Sequence, residues 1–272
     1  MSDDCQKDIG LIAGNGKFPF LFAMEAKRKG RRVVCVAIKG DASFFLIPLV
    51  SEISWVGAGE LKKLFEFFKL KNVGEVVMAG QVSQKNLFDE NLPVDEEFQK
   101  LFEALKDHRA DTIFSAVADA LEKRDMTLLD STALLKDYIA PKGTLTKRGP
   151  SRGELEDIEF GKGIAKQMGG LDVGQTVVVK DKAIVAIEAM EGTDKAILRG
   201  GKIAQKNAVV VKTGKPKQDL RFDVPVIGPR TIKNMAKVKV SCLAIEANKT
   251  IIIDEKHCLR LADKNNICIV GI

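Results

Sequence analysis

The chain has 272 residues, 45% hydrophobic and 29% charged, with Lys+Arg 43 against Asp+Glu 37 and a net charge of +6. That balance describes a folded, soluble protein of one large or two modest domains and excludes a disordered or low-complexity chain. The longest apolar run, Phe44 to Val50, falls far short of the roughly 20 residues a membrane-spanning helix needs. The opening MSDDCQKD is too acidic for a secretory signal, so a cytoplasmic protein is expected.

The cysteines are Cys5, Cys35, Cys242, Cys258 and Cys268, an odd number with no CxxC spacing. They fit reduced, buried thiols better than a zinc site or a disulfide framework. Basic residues gather at Lys27–Arg32, Lys142–Arg152 and Lys212–Lys217, as an anionic ligand or an anionic membrane surface would require. One Trp, one Tyr and no stacking motif argue against a nucleic-acid partner.

In chain order, Ile9–Ala13 reads as a short strand and Gly14-Asn15-Gly16 as a turn. Pro19 suits a first helical turn, so a helix is predicted over Phe20–Lys29, ended by Gly30. Arg32–Ile38 and Glu52–Val56 are the next strands. Leu61, Leu64, Phe65 and Phe68 recur at helical spacing, and Glu75–Ala79 is a further strand closed by Gly80. This alternation predicts a parallel sheet covered by helices. Two helical stripes follow, Phe98, Leu101, Phe102 and Leu105, then Ile113, Phe114, Val117 and Leu121, both assigned to core packing.

Pro141, Gly143, Gly149, Pro150 and Gly153 punctuate a basic stretch. The domain boundary is placed just before it, giving an N-terminal domain of residues 1–135 and a C-terminal domain of residues 136–272. Beyond it a helix is predicted over Ile158–Met168, and Gln175–Lys180 with Ala183–Ala189 reads as a hairpin. Ala208–Lys212, Cys242–Glu246, Thr250–Asp254 and Ile267–Val270 are further strands, with a second hairpin expected around the turn at 247–249. A helix is predicted over Pro229–Ala236, and the half as a whole reads as α+β. His108 is expected on a helix surface and His257 in a turn.

The turn at Gly14 and Gly16 resembles a dinucleotide-binding loop, but Pro19 stands where a third glycine would help the helix pack, and Asp41 is a loosely placed acid. Phe18 after Lys17 excludes a Walker loop. Glycines still permit close backbone approach, and a helix N-terminus presents amides to phosphate. Gly80-Gln81-Val82-Ser83 ends a parallel strand, where ligands of open sheets collect.

The second half is denser in candidate chemistry. Asp172-Val173-Gly174-Gln175 precedes a strand, and the run Glu188 to Asp194, containing Glu191-Gly192-Thr193-Asp194, follows another. Lys212 to Gly228 crowds lysines, carboxylates and an arginine between Gly and Pro residues. Phosphoanhydride hydrolysis calls for this inventory: cations to neutralise phosphoryl oxygens, carboxylates to hold a hard cation or orient water. The acids on hand are Asp172, Glu188, Glu191, Asp194, Asp219 and Asp223. With two histidines and no HExxH, zinc hydrolysis and Ser-His chemistry are poorly supported.

The stretches IGLIAGNGKFP, VVMAGQV, DVGQTVVV, AIEAMEGTD and VVVKTGKPKQDLRFDVPVIGPRTI resemble, in that order and over nearly the whole chain, the LpxI family of UDP-2,3-diacylglucosamine pyrophosphatases. The resemblance implies a Rossmann-like N-terminal domain with a parallel sheet, a distinct α+β catalytic C-terminal domain, and ligand between them. It implies water attack on the α-phosphorus, giving UMP and 2,3-diacylglucosamine 1-phosphate, with Mg²⁺ as cofactor, and similarity to dimeric proteins. Asp223 matches the family's critical aspartate. Gln218, Asp219, Arg221, Lys217, Glu191, Thr193 and Asp194 complete the catalytic set, with Asp223, Asp194 and Glu191 as the metal ligands. Gly14, Asn15, Gly16, Gly80, Gln81, Val82, Lys215 and Gln175 form the substrate-binding set. The chain departs from the family after VVMAG, where Gln81-Val82-Ser83-Gln84-Lys85 replaces a basic, proline-containing pattern, and at Ala110-Asp111-Thr112, where a paired aspartate is expected.

Two rivals remain on the residues alone. A nicotinamide-dependent oxidoreductase rests on Gly14-x-Gly16, and a non-catalytic sugar-nucleotide or lipid-binding protein on the same anion-binding inventory. A membrane-borne substrate further suggests peripheral contact with the inner membrane.

Overall fold

In the computed structural model, which describes residues 8–82 and 92–272, the β-branched runs of the first half become a parallel sheet. Strand β1 is Ile9–Ala13, and α1 is Phe18–Arg28 with Pro19 in its first turn. Strands β2 (Val33–Ile38) and β3 (Glu52–Val56), helix α2 (Leu61–Leu70) and strand β4 (Glu75–Ala79) follow. Helices α3 (Glu96–Glu103) and α4 (Ala110–Glu122) lead to the short β5 (Thr127–Leu128). The order is β3-β2-β1-β4-β5, every pairing parallel. The chain therefore reverses its winding between β1 and β4, and open sheets bind ligands outside the carboxyl ends of the strands at such a point.

β1 and β2 are buried along their whole length because helices cover both faces of a parallel sheet. Leu61, Leu64, Phe65 and Phe68 of α2 bury their stripe against Val34, Val36 and Val76, with Val117 and Leu121 of α4 in the same cluster. Leu105 and His108 fall in the loop after α3, so His108 is not the helix residue expected; its ring stacks on Phe102 with centroids 4.2 Å apart. The α3 stripe ends early because Asp107 organises the turn, accepting from the Arg109 amide and the Thr112 hydroxyl.

The second half begins with β6 (Gly143–Thr144), α5 (Arg152–Gly170) and the strands β7 (Thr176–Lys180) and β8 (Ala183–Ile187). Helix α6 (Thr193–Ala204), strands β9 (Val209–Lys212) and β10 (Val226–Ile227) and helix α7 (Pro229–Lys237) come next. Strands β11 (Cys242–Ile245) and β12 (Ile251–Ile252), helix α8 (Glu255–Lys264) and strand β13 (Cys268–Gly271) close the chain. A mixed sheet forms in the order β6-β13-β11-β9-β7-β8, with β9, β11 and β13 parallel and β7–β8 the expected hairpin. Alternation sorts its core: Val178, Val210, Leu243 and Ile269 face one side, and Val177, Val179, Val211 and Cys268 the other.

Three expectations are corrected here, and one unexpected helix is found. No hairpin forms around 247–249, because β12 leaves the main sheet to pair in parallel with β10. His257 lies on α8 rather than in a turn, beyond an Asp254 in left-handed conformation that starts the helix. Helix α6, which contains Gly200 and Gly201, is absent from the elements expected from sequence. A Cβ at Gly200 would lie 2.7 Å from Val178 and one at Gly201 2.2 Å from Val238, so these glycines let the helix approach its neighbours closely. Helix α5 starts six residues before the Ile158 expected, at a capping box between Ser151 and Glu154. Cys35, Cys242, Cys258 and Cys268 are buried thiols, and burial pushes the Cys35 thiol up to about 12; Cys5 lies outside the described residues.

The polypeptide divides into two compact units, Met1–Lys136 with Asp219–Asp223, and Asp137–Gln218 with Val224–Ile272. Among the described residues no helix is long and apolar enough to cross a membrane.

Glu154 anchors the second unit locally. It closes the α5 cap, meets Arg148 at 2.7 Å and accepts from the Ser241 hydroxyl at 2.6 Å. Burial alone would raise its carboxyl, but Arg148, Ser241 and the Ser151 amide outweigh it and hold it down from the usual 4.5 to about 2. Glu154→Gln should therefore lower the stability of the protein by about 2 kcal/mol at neutral pH in urea unfolding. A depressed carboxyl contributes above its unfolded value and loses that contribution as pH falls through its folded value. The gap between wild type and variant should close as pH drops from 4.5 towards 2, and a gap that persists there would deny the charge its role.

Candidate functional site

Each unit gathers polar groups at the ends of its strands. In the first unit, β1 and β4 run side by side with Ala13 opposite Ala79. Their exits are tied together: the Gly14 amide donates to Ala79 O at 2.9 Å, the Asn15 amide to Gln81 O at 2.7 Å, and the Gln81 amide to Asn15 O at 3.0 Å. Gly14, Asn15, Gly80 and Gln81, assigned from sequence, thus form one structure. Only glycine fits at Gly80, where φ is +90° and a Cβ would lie 2.6 Å from Asn15 O. Gly16 has φ of +97° but open space around it. No side chain caps the N-terminus of α1, so its amides remain available to an anion. Val82 packs against the first unit's core, while Ser83, Gln84 and Lys85 lie outside the described residues.

Asp219–Asp223 belongs to this same unit although its neighbours in sequence do not. Phe222 packs into the core, its ring 5.7 Å from that of Phe114. The Ser131 amide donates to Leu220 O at 2.9 Å, and the Ser131 hydroxyl lies 2.6 Å from Met78 O of β4 and 2.7 Å from Arg221 O. The segment is therefore fastened beside the carboxyl end of β4. Arg221 is gripped by Asp219 through Nε at 3.0 Å and a terminal nitrogen at 2.8 Å, and reaches Glu122 at 3.4 Å. The guanidinium holds the Asp219 carboxyl below its ordinary value. Asp223 follows, half-buried, its amide donating to Asp219 O at 2.9 Å.

In the second unit, Thr176 at the start of β7 stands opposite Lys212 at the end of β9. Lys212 is only 7% exposed. Its Nζ lies 2.9 Å from the Thr193 hydroxyl, 3.5 Å from that of Thr176 and 4.0 Å from Glu188 Oε2. Thr193 donates to Glu188 Oε1 at 2.8 Å, which leaves the buried Oε2 with no hydrogen-bond partner among the described residues. The Thr213 hydroxyl is equally buried and unpartnered. A buried ammonium with three donors and one short partner, beside an unsatisfied carboxylate oxygen, is costly unless a polar ligand group completes it.

Other assigned residues of the second unit have partners of their own. Gln175 O accepts from the Thr213 amide at 2.9 Å. Glu191 pairs with Arg199 at 2.5 Å, which holds its carboxyl below the usual range, and Asp194 pairs with Arg230 at 2.7 Å. Lys215 meets Asp172 at 2.5 Å, its amide donates to Gln218 Oε1, and Lys217 stands exposed in the turn. Glu246 receives the Gly214 amide at 2.6 Å and Lys166 at 2.6 Å. Among the described residues no three His, Cys, Asp or Glu side chains converge as a metal cage.

The site set drawn from sequence leaves out Lys212, Glu188, Thr176 and Thr213. Their signal was position: Lys212 and Glu188 end apolar strand runs, where a side chain first escapes the buried sheet.

The family profile of the LpxI N-terminal domain matches residues 8–138, and that of the LpxI C-terminal domain matches residues 141–270. The chain belongs to the LpxI family. The "UDP-2,3-diacylglucosamine pyrophosphatase LpxI" of Caulobacter vibrioides is 27% identical over 278 residues, covering 98% of each chain. Among solved structures, a biotin carboxylase complex from Campylobacter jejuni is 12% identical, covering 74% of this chain and 42% of that one, with a TM-score of 0.29. The biotin carboxylase domain of Hydrogenobacter thermophilus 2-oxoglutarate carboxylase is 14% identical, covering 73% and 40%, with a TM-score of 0.28. These two likenesses are too slight to bear on fold or ligand. Asp219–Asp223 lies within the LpxI C-terminal match yet packs with the first unit.

Gly80→Ala should cost about 2 kcal/mol in thermal unfolding, since it combines positive φ with a backbone collision. Gly16→Ala meets no neighbour and should cost distinctly less. Equal losses would show that the β1–β4 closure does not depend on the close approach at Gly80.

Proposed function

We propose that this chain hydrolyses the pyrophosphate of UDP-2,3-diacylglucosamine, releasing UMP and 2,3-diacylglucosamine 1-phosphate for lipid A synthesis, by attack of water at the α-phosphorus. The observation that carries this reading is the buried Lys212–Thr193–Glu188 cluster at the strand ends of a chain whose whole length matches the LpxI family. The named activity of the Caulobacter relative supports it.

The roles follow from chemistry. Gly14, Asn15, Gly16 and the α1 N-terminus offer backbone amides to the nucleotide, with Gly80, Gln81 and Val82 shaping the adjoining wall. Lys212, Lys215, Lys217 and Arg221 neutralise charge on the phosphoryl oxygens, and Gln175 contributes to substrate binding. Lys212 is the preorganised member, because its ammonium is already stripped of bulk water. Arg221 is held in orientation by Asp219, and Gln218 fixes the Lys215 backbone. Asp223 orients the attacking water, and the Glu188 oxygen left unsatisfied beside Lys212 is a second acceptor for a hydroxyl or water.

The donor set suits Mg²⁺ held by one or two carboxylates together with substrate phosphates better than an all-protein cage. The resemblance to the family assigns Asp223, Asp194 and Glu191 to it, and the ion would supply charge neutralisation at the phosphate oxygens. The protein acts in the cytoplasm as a homodimer, in peripheral contact with the inner membrane.

Hydrolysis in ¹⁸O water with Mg²⁺ tests the reading. Label in UMP, with Asp223→Ala slower by about 100-fold or more, is the expected result. Label in the lipid phosphate would reject α-phosphorus attack, and UDP-sugar binding without turnover would favour a non-catalytic binding protein. Lys212→Met keeps the length of the side chain and removes the charge, so kcat should drop by about 100-fold with the fold intact by circular dichroism. Near-normal turnover in that variant would remove Lys212 from the mechanism.

A further inference from the structure

The first unit also carries a surface that phosphoanhydride hydrolysis does not need. After β2, residues Phe44–Leu49 form a short 3-10 helix with only Leu46 buried. Phe44 is 71% exposed, Phe45 80% and Ile47 48%. Phe44 is held outward by the ring of Trp55 on β3, 4.4 Å between centroids. Met24 on α1 is a further exposed apolar side chain.

The last turn of α1 comes against this helix. Lys27, Gly30, Arg31 and Arg32 share a cavity of about 270 Å³ with Pro48 and Leu49. Residues 24–50 contain six Lys or Arg and two acids. One of those acids, Glu25, is buried and already paired with Arg28 at 2.7 Å. The combination is of protruding aromatic and aliphatic tips beside a basic rim, in which Lys27 and Lys29 stand exposed and the exposed Arg32 lies 3.7 Å from Asp8. Apolar side chains of this kind enter the boundary between lipid headgroups and acyl chains, and Lys and Arg beside them are drawn to anionic lipid.

We propose that this face docks on an anionic bilayer, with Phe44, Phe45 and Ile47 inserted and Lys27, Lys29 and Arg32 against lipid phosphates. A second copy of the chain is a poorer occupant, because two-fold pairing would set the basic rim against itself. The proposal deepens the reading of a diacylated substrate and rests on that reading for its purpose. The docking itself is measured without substrate.

The test is sedimentation of the full-length protein with vesicles of phosphatidylcholine, with and without phosphatidylglycerol. Binding should be at least about tenfold tighter with the anionic lipid and should weaken as salt is raised above about 0.1 M. Lys27→Glu with Arg32→Glu, and separately Phe44→Ser with Phe45→Ser, should each weaken it about tenfold or more. Both pairs should leave hydrolysis of detergent-dispersed substrate within about twofold of wild type while slowing hydrolysis in anionic vesicles. No sedimentation with anionic vesicles, or equal sedimentation of wild type and both variants, overturns the proposal. So does a dimer that the Phe substitutions convert to monomer without any vesicle binding, which would assign the face to a second copy. Vesicle binding that responds to both variants, in a protein with no hydrolase activity, would uphold the docking and reject the proposed reaction instead.

Discussion

A strand buried on both faces can offer its side chains to a ligand only where it ends. That constraint places the chemistry in both units. β1 and β4 are closed in by helices along their length, and their first available groups are Gly14, Asn15, Gly80 and Gln81, cross-bonded at the carboxyl ends. In the second sheet, Val209, Val210 and Val211 are fully buried and Lys212 is the residue at which β9 runs out. Lys212 reaches Thr193 at the start of α6, which itself opens just past the end of β8.

The same constraint explains which parts of the structure the sequence displays. Strands β1, β3 and β4 could be delimited to the residue because each is a short strand-forming run stopped by a glycine, Gly14, Gly57 and Gly80. Helix α6 is missing from that reading, and the role of its Gly200 and Gly201 is visible only once their neighbours are known to be Val178 and Val238. The parallel pairing of β12 with β10 joins residues about two dozen positions apart, and no local turn signal announces it. The capping box at Ser151 and Glu154 is a local motif that the expected start at Ile158 passes over, and it marks the true start of α5.

The site was legible in part for a similar reason. Motif residues such as Gly14, Gly80 and Thr193 carry their meaning in local sequence. Lys212 and Glu188 acquire theirs only when an antiparallel register sets Thr176 opposite Lys212 and brings the end of β8 alongside. Arg221 shows the opposite case. It reads as a free cation in sequence, whereas Asp219 two residues earlier grips it and Glu122 approaches from α4. Its charge is positioned before any ligand arrives, so what it contributes is orientation as much as attraction.

The run from Gln218 to Asp223 joins these themes. Gln218 is bonded to the Lys215 amide within the second unit, and Asp219 opens the segment that packs with the first. Phe222 explains the placement: a large apolar side chain between two charged residues has to find a core, and it finds the one containing Phe114. Ser131 adds the backbone fastening at Leu220 and Arg221. The chain thus passes between its units at 136–137, at 218–219 and again at 223–224. Asp223 is the last residue before the final passage, its amide bonded to Asp219 O, while its next neighbour, Val224, belongs to the second unit.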